Sequence, residues 1–205
     1  MNCRTKICGI TNLEDAIAAC DFGADALGFV FYEKSPRYID PIKANQIVQQ
    51  LPPFVVPIAL FVNADSALVE QVLEGSSRWI NQFHGDESNQ ECYQFKRPFL
   101  KALRMKPDVN IEHEIQRFPD ASAILLDAYK AGVPGGTGEK FNWDLVPQNA
   151  AKPIILAGGL TVENIRQAVK QVRPYAVDVS GGVELSKGIK DHKKVQQFIA
   201  GAKCE

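Results

Sequence analysis

Histidine is scarce in this chain, and its cysteines keep no framework spacing. Three histidines among 205 residues are too few and too scattered to suggest a zinc site. Cys3, Cys8, Cys20, Cys92 and Cys204 are odd in number, and Cys3 and Cys8 do not form a CxxC pair. That pattern argues against a disulfide scaffold and for a reducing, cytoplasmic setting. No run is apolar for long enough to span a bilayer. The N-terminus enters a strand directly, without a basic-then-apolar signal pattern. A formal net charge of -1 gives no electrostatic pull toward nucleic acid or an anionic membrane. No Pro/Ser/Gly-rich linker or low-complexity tract interrupts the chain, so one domain over 1–205 is expected.

What is present is a rhythm of short apolar runs and amphipathic stretches. The runs at Thr5–Gly9, Ala26–Phe31, Pro57–Val62, Arg78–His84, Phe99–Met105, Ser122–Asp127, Pro153–Ala157 and Ala176–Ser180 predict strands. Helical spacing predicts helices over Asn12–Cys20, Pro41–Leu51, Asp65–Glu74, Val162–Val172 and Asp191–Ala200, the second burying Ile42. The spacing is weaker over Gln90–Arg97, Ile111–Phe118 and Asn142–Asn149. Strand–helix units recurring every ~20–30 residues mark parallel strands. Eight of them point to an α/β (β/α)8 barrel at the small end of that fold, with a doubly wound sheet as the alternative.

In such folds chemistry sits at the C-terminal tips of the strands. Lys6-Ile7-Cys8-Gly9-Ile10-Thr11 puts a thiol at the first tip, with Thr11-x-x-Glu14 opening the next helix. Cys8 is either a small core residue or a base, its pKa lowered by Lys6 and the following helix. Ala123-Ile124-Leu125-Leu126-Asp127 ends on a carboxylate. Against apolar walls its pKa would rise, which suits a general acid, although capping a turn is the other reading. Alternation puts Asp178 and Ser180 on one face, for the site or for a salt bridge. Gly158-Gly159 and Gly181-Gly182 follow the last two strands, where barrels bind phosphate through backbone N–H groups. Gly135-Gly136-Thr137-Gly138 predicts a closing loop or an exposed one. Arg37 has the planar fork that suits a carboxylate or phosphate, or lies on the surface. His84 ends the fourth strand, while His113 and His192 fit helix surfaces.

Together these segments resemble the phosphoribosylanthranilate isomerases, the third-step enzymes from chorismate to tryptophan. The likeness spans nearly the whole chain. It rests on Lys6–Thr11, Gly28–Phe31 with Ser35–Ile39, Gln82–Glu87, Leu125–Asp127, Gly135–Gly138 with Phe141 and Trp143, Leu156–Leu160, and Asp178–Ser180 with Gly182–Glu184. The resemblance implies a cofactor-free Amadori rearrangement of a small phosphorylated substrate. It makes Cys8 the general base and Asp127 the general acid. It assigns Arg37 to the anthranilate end, and Gly158, Gly159, Ser180 and Gly181 to the phosphate. His84 and Asp178 face the site. It implies a monomer or homodimer. The chain departs from the family at Gly181, where a second serine is usual, at Lys187, where proline is, and at Asn142, where aspartate is common. The related histidine-pathway isomerases carry a carboxylate where this chain has Cys8. A barrel that binds a phosphorylated ligand without turnover is the non-enzymatic alternative.

Overall fold

The eight apolar runs become one closed barrel. The computed structural model describes residues 3–105, 110–128 and 142–203. Strands and helices alternate as β1 (Arg4–Cys8), α1 (Leu13–Asp21), β2 (Ala26–Val30), α2 (Pro41–Val48), β3 (Val56–Phe61), α3 (Ser66–Glu74), β4 (Ile80–Phe83), α4 (Asn89–Tyr93), β5 (Phe99–Met105), α5 (Ile111–Gln116) and β6 (Ala123–Ala128). A short 3-10 turn, Trp143–Leu145, precedes β7 (Ile154–Leu156), α6 (Ile165–Val172) and β8 (Ala176–Val179). A second 3-10 turn, Gly181–Val183, leads into a small hairpin, β9 (Glu184–Ser186) and β10 (Ile189–Lys190), and then α7 (His192–Lys203). All eight barrel strands are parallel, and β1 pairs with both β2 and β8, which excludes the open doubly wound sheet.

Both faces of each strand are covered, which is why the strands read as near-continuous apolar runs. Outward side chains such as Ile7, Leu27, Phe61 and Val177 pack under the helices in the large core. Inward side chains such as Ile58, Leu100, Leu125 and Ile155 fill the lower barrel. Above them, toward the strand tips, lie Cys8, Val30 and Leu60. Among the described residues, the interior thus closes from below and opens at its C-terminal end.

Local chemistry moved several element ends. Asn12, not Thr11, caps α1, accepting from Asp15 N; the Thr11 hydroxyl donates instead to Gly188 O at 2.6 Å. The strand expected from Arg78 begins at Ile80. Arg78 turns away to donate to the carbonyls of Val48, Leu51, Pro52 and Val55, tying down the connection after α2. That leaves Leu51 outside α2, and Ile42 is 65% exposed rather than buried. The weak pattern at Asn142–Asn149 yields only the 3-10 turn. The Gly135–Gly138 segment and Phe141 lie outside the described residues.

One position conflicts with its surroundings. Asn81 on β4 is fully buried, and among the described residues neither its amide nitrogen nor its oxygen has a hydrogen-bond partner. An unmet buried amide costs about 1–3 kcal/mol. Asn81→Val is therefore expected to stabilise the fold by about 1 kcal/mol, since some overpacking offsets the gain. Urea denaturation reads this directly. A lower midpoint in the variant would mean that an internal water satisfies the amide.

Candidate active site

A cavity of about 670 Å³ opens at the C-terminal mouth of the barrel. Cys8, Arg37, His84, Asp127, Gly158, Gly159, Asp178, Ser180 and Gly181 all line it. These residues, each expected from the sequence to face the site, therefore meet in one place. His113, by contrast, is an exposed residue of α5. His192 opens α7, and its Nε2 lies 2.8 Å from Asp15 Oδ1.

The register of β1 and β8 sets the floor of the site. Lys6 lies opposite Asp178, and its Nζ is 3.0 Å from Asp178 Oδ1, with both side chains buried. Burial works against the Lys6 charge, but Asp178 and Cys8 hold its pKa above the usual value. Gly28 lies opposite Cys8 on β2. A methyl group there would come within 2.6 Å of Cys8 Sγ and 3.1 Å of Lys6 Cε, so the absent side chain makes room for both.

Cys8 does not carry the lowered pKa expected of it. Burial pushes the thiol up; Lys6 and Lys190 pull it down, and Asp178 adds to the upward shift. A strand tip is visible in sequence, but the depth of its burial is not.

Asp127 has a polar partner rather than apolar walls alone. His84 Nε2 lies 3.2 Å from Asp127 Oδ2, and His84 Nδ1 lies 3.2 Å from Gln82 Nε2. With the Gln82 amide donating to Nδ1, the neutral ring carries its proton on Nε2 and directs it at Asp127 (a tautomer assigned from these partners). Gln82, fully buried on β4, was not anticipated as part of the site.

Arg37 is already engaged on one edge. Its Nε donates to Glu184 Oε1 at 2.7 Å and its Nη2 to Glu184 Oε2 at 2.8 Å, a bidentate pair. Among the described residues no partner takes Nη1, so the outer edge of the fork remains for an anion. Burial works against the Glu184 charge, yet Arg37 and Lys190 hold its carboxyl below the usual range. Burial pulls the Lys190 ammonium down, while Glu184 opposes that shift.

The glycine turns form a polar cradle. Gly158 and Gly159 have φ of 78° and 64°, a region costly for other residues. A side chain at Gly158 would strike Ala128 N and come within 2.9 Å of Asp127 Oδ1. Ser180 Oγ is buried without a hydrogen-bond partner among the described residues. No described residue accepts from the backbone N–H groups of Gly159, Gly181 or Gly182. Asn164, buried at the start of α6, holds the first turn in shape. Its Nδ2 donates to Gly159 O at 2.8 Å, and its Oδ1 accepts from Thr161 N at 2.9 Å. Nothing in the local sequence marks this role, because an asparagine there reads as an ordinary helix cap.

The site therefore offers a thiol, a carboxylate–imidazole pair, a clamped guanidinium and a set of free backbone donors around one cavity. Among the described residues, no cluster of histidine, cysteine, aspartate or glutamate could hold a metal ion. No described helix is long and apolar enough to cross a membrane.

The chain is similar to known proteins along nearly its whole length. The model of the family described as N-(5'-phosphoribosyl)anthranilate (PRA) isomerase matches residues 5–201. An N-(5'-phosphoribosyl)anthranilate isomerase of Marinomonas sp. (strain MWYL1) is 66% identical over 204 residues, covering 100% of both chains. The crystal structure of phosphoribosyl anthranilate isomerase from Thermotoga maritima superposes with a TM-score of 0.90 at 40% identity, covering 98% of both chains. A further phosphoribosyl anthranilate isomerase, solved in complex with reduced 1-(o-carboxyphenylamino)-1-deoxyribulose 5-phosphate, superposes at 0.83 with 38% identity, again over 98% of both chains.

Proposed function

The chain belongs to the N-(5'-phosphoribosyl)anthranilate isomerase family of tryptophan biosynthesis and is an isomerase; from that premise we propose an Amadori rearrangement with Cys8 as base and Asp127 as acid. The substrate is N-(5-phosphoribosyl)anthranilate and the product 1-(2-carboxyphenylamino)-1-deoxyribulose 5-phosphate. The observation that carries the reading is the convergence of Cys8 and the Asp127–His84 pair on one cavity. The relative solved with the reduced product supports a ligand of this chemistry.

The steps follow from the residues present. Asp127 protonates the ribose ring oxygen, the C1–O bond breaks, and the anilinic nitrogen becomes an iminium. Asp127 Oδ2 faces His84, so the proton it delivers is carried on Oδ1, on the Gly158 side. The iminium acidifies the C2 proton. The Cys8 thiolate removes that proton, giving an enolamine that tautomerises to the C2 ketone. Atoms and electrons balance without a cofactor. His84 keeps the Asp127 carboxyl oriented. Asp178 holds Lys6 beside the thiol, where its charge favours thiolate. The outer edge of Arg37 takes the anthranilate carboxylate. Gly158, Gly159, Ser180 and Gly181 cradle the phosphate through backbone N–H groups and one hydroxyl.

The primary test follows the loss of anthranilate-type fluorescence when freshly generated phosphoribosylanthranilate meets the protein. Rapid loss supports isomerisation; binding without loss would make this a ligand-binding barrel. The pH profile adds a second test. Cys8 works as thiolate, and burial raises its pKa above the ordinary 9.0. In the Asp127→Asn background, which removes the acid, the residual kcat/KM should therefore still be rising with pH at that value. A plateau reached below neutral pH would remove Cys8 as the base.

A further inference from the structure

Lys190 is only 4% exposed, yet it lies in the small hairpin beyond the barrel rather than in a strand wall. Its Nζ donates to Cys8 O at 2.6 Å, to Ser180 O at 3.3 Å and to Glu184 Oε1 at 3.0 Å. These three acceptors match the three donors of an ammonium. Each belongs to a segment with a different task in the proposed reaction. The first is the carbonyl of the residue that bears the thiol. The second opens the phosphate turn. The third clasps Arg37, 147 residues away in sequence. The other end of the residue is fixed as well, since Lys190 N donates to Asp15 Oδ2 at 2.8 Å. Neutralising Glu184 would not need this arrangement, because Arg37 already meets both of its oxygens.

We infer that Lys190 is a positioning residue for the isomerisation, its ammonium holding the thiol strand, the phosphate turn and the Arg37–Glu184 clamp in one geometry. The inference rests on the functional reading above and extends it to a residue that touches no substrate. Charged groups reach the thiol from four directions: Lys6 on its own strand, Asp178 on β8, Arg37 after β2, and Lys190 on β10. Removing Lys190 alters one of them and leaves the bidentate Arg37–Glu184 pair in place.

The experiment compares Lys190→Met with the parent protein in kcat, in KM and in the pH dependence of iodoacetamide labelling at Cys8. Labelling of a Cys8→Ala protein supplies the background from the other cysteines. A folded Lys190→Met protein should lose about ten- to a hundredfold in kcat through misplacement of the base. Its labelling midpoint should move to higher pH. Lys190→Arg, which restores the charge, should bring the midpoint back and recover only part of kcat. A merely structural lysine would lower thermal stability and leave both the midpoint and kcat unchanged, and that result overturns the assignment. Should Lys190→Met not fold, Lys190→Gln keeps two of the three donors without the charge and is read by the same criteria. Turnover by the parent protein is measured first. Its absence overturns the functional reading and the assignment together; normal turnover with an unchanged variant overturns the assignment alone.

Discussion

Cys8→Ala and Asp127→Asn should each lower turnover by about 10²–10⁴-fold, the range for a positioned proton-transfer group. In neither case should the cause be loss of the fold. Cys8 lies in the open upper layer of the barrel beside Val30 and Leu60, and alanine there removes one sulfur atom. Asparagine at 127 keeps the size of the side chain and can still accept from His84 Nε2, so the imidazole is not left without a partner. What disappears is the proton, not the contact. Substrate affinity should change little, because neither group is assigned to the phosphate or the carboxylate. Steady-state kinetics on the two variants, with circular dichroism as the folding control, separates these effects. Either variant turning over at near-parental rate would take its residue out of the mechanism.

Lys6→Met should show the second largest effect, and on stability as well as rate. The Lys6–Asp178 pair lies low in the mouth of the barrel, with side-chain exposures of 4% and 9%. Removing one partner of a buried pair leaves the other charge uncompensated, at about 3–5 kcal/mol. Because the cavity admits water to the Asp178 side, the lower end of that range is expected. Turnover should fall too, since the variant loses the cation that most favours thiolate at Cys8. Adding Asp178→Asn should restore much of the stability and little of the rate, because the orphaned charge is gone but the cation is not returned. Chemical denaturation of the single and double variants tests this. A single variant as stable as the parent would mean that cavity water fully carries the Asp178 charge.

The barrel was legible in the sequence because its physics is local. A strand covered on both faces must be apolar along its length, and each run from Ala26–Phe31 to Ala176–Ser180 could be found without knowing its neighbours. Alternation was equally local, so Lys6 with Cys8 and Asp178 with Ser180 could be placed on common faces. Partners are another matter. Glu184 sat inside a motif that pointed to the family, but nothing near it announced Arg37. Lys190 donates to a carbonyl 182 residues earlier. Gln82 reads as one more strand residue until the imidazole beside it is seen to face Asp127. The sign of the Cys8 shift failed for a related reason. Nearby cations are visible as letters, whereas burial is a property of the closed barrel.

That closure carries a temporal meaning. β1 leaves the ribosome before the strand that seals it, β8, and Lys190 follows later still. A nascent chain that ends at β7 holds Cys8 and Asp127 but not Ser180, the Asp178 counterion of Lys6 or the Lys190 ammonium that donates to Cys8 O. Until β8 and the hairpin emerge, Cys8 lies outside the environment that governs it. Activity should therefore arrive in a single step as the last segment docks, and a chain cut before Lys190 should hold acid and base without working as an isomerase.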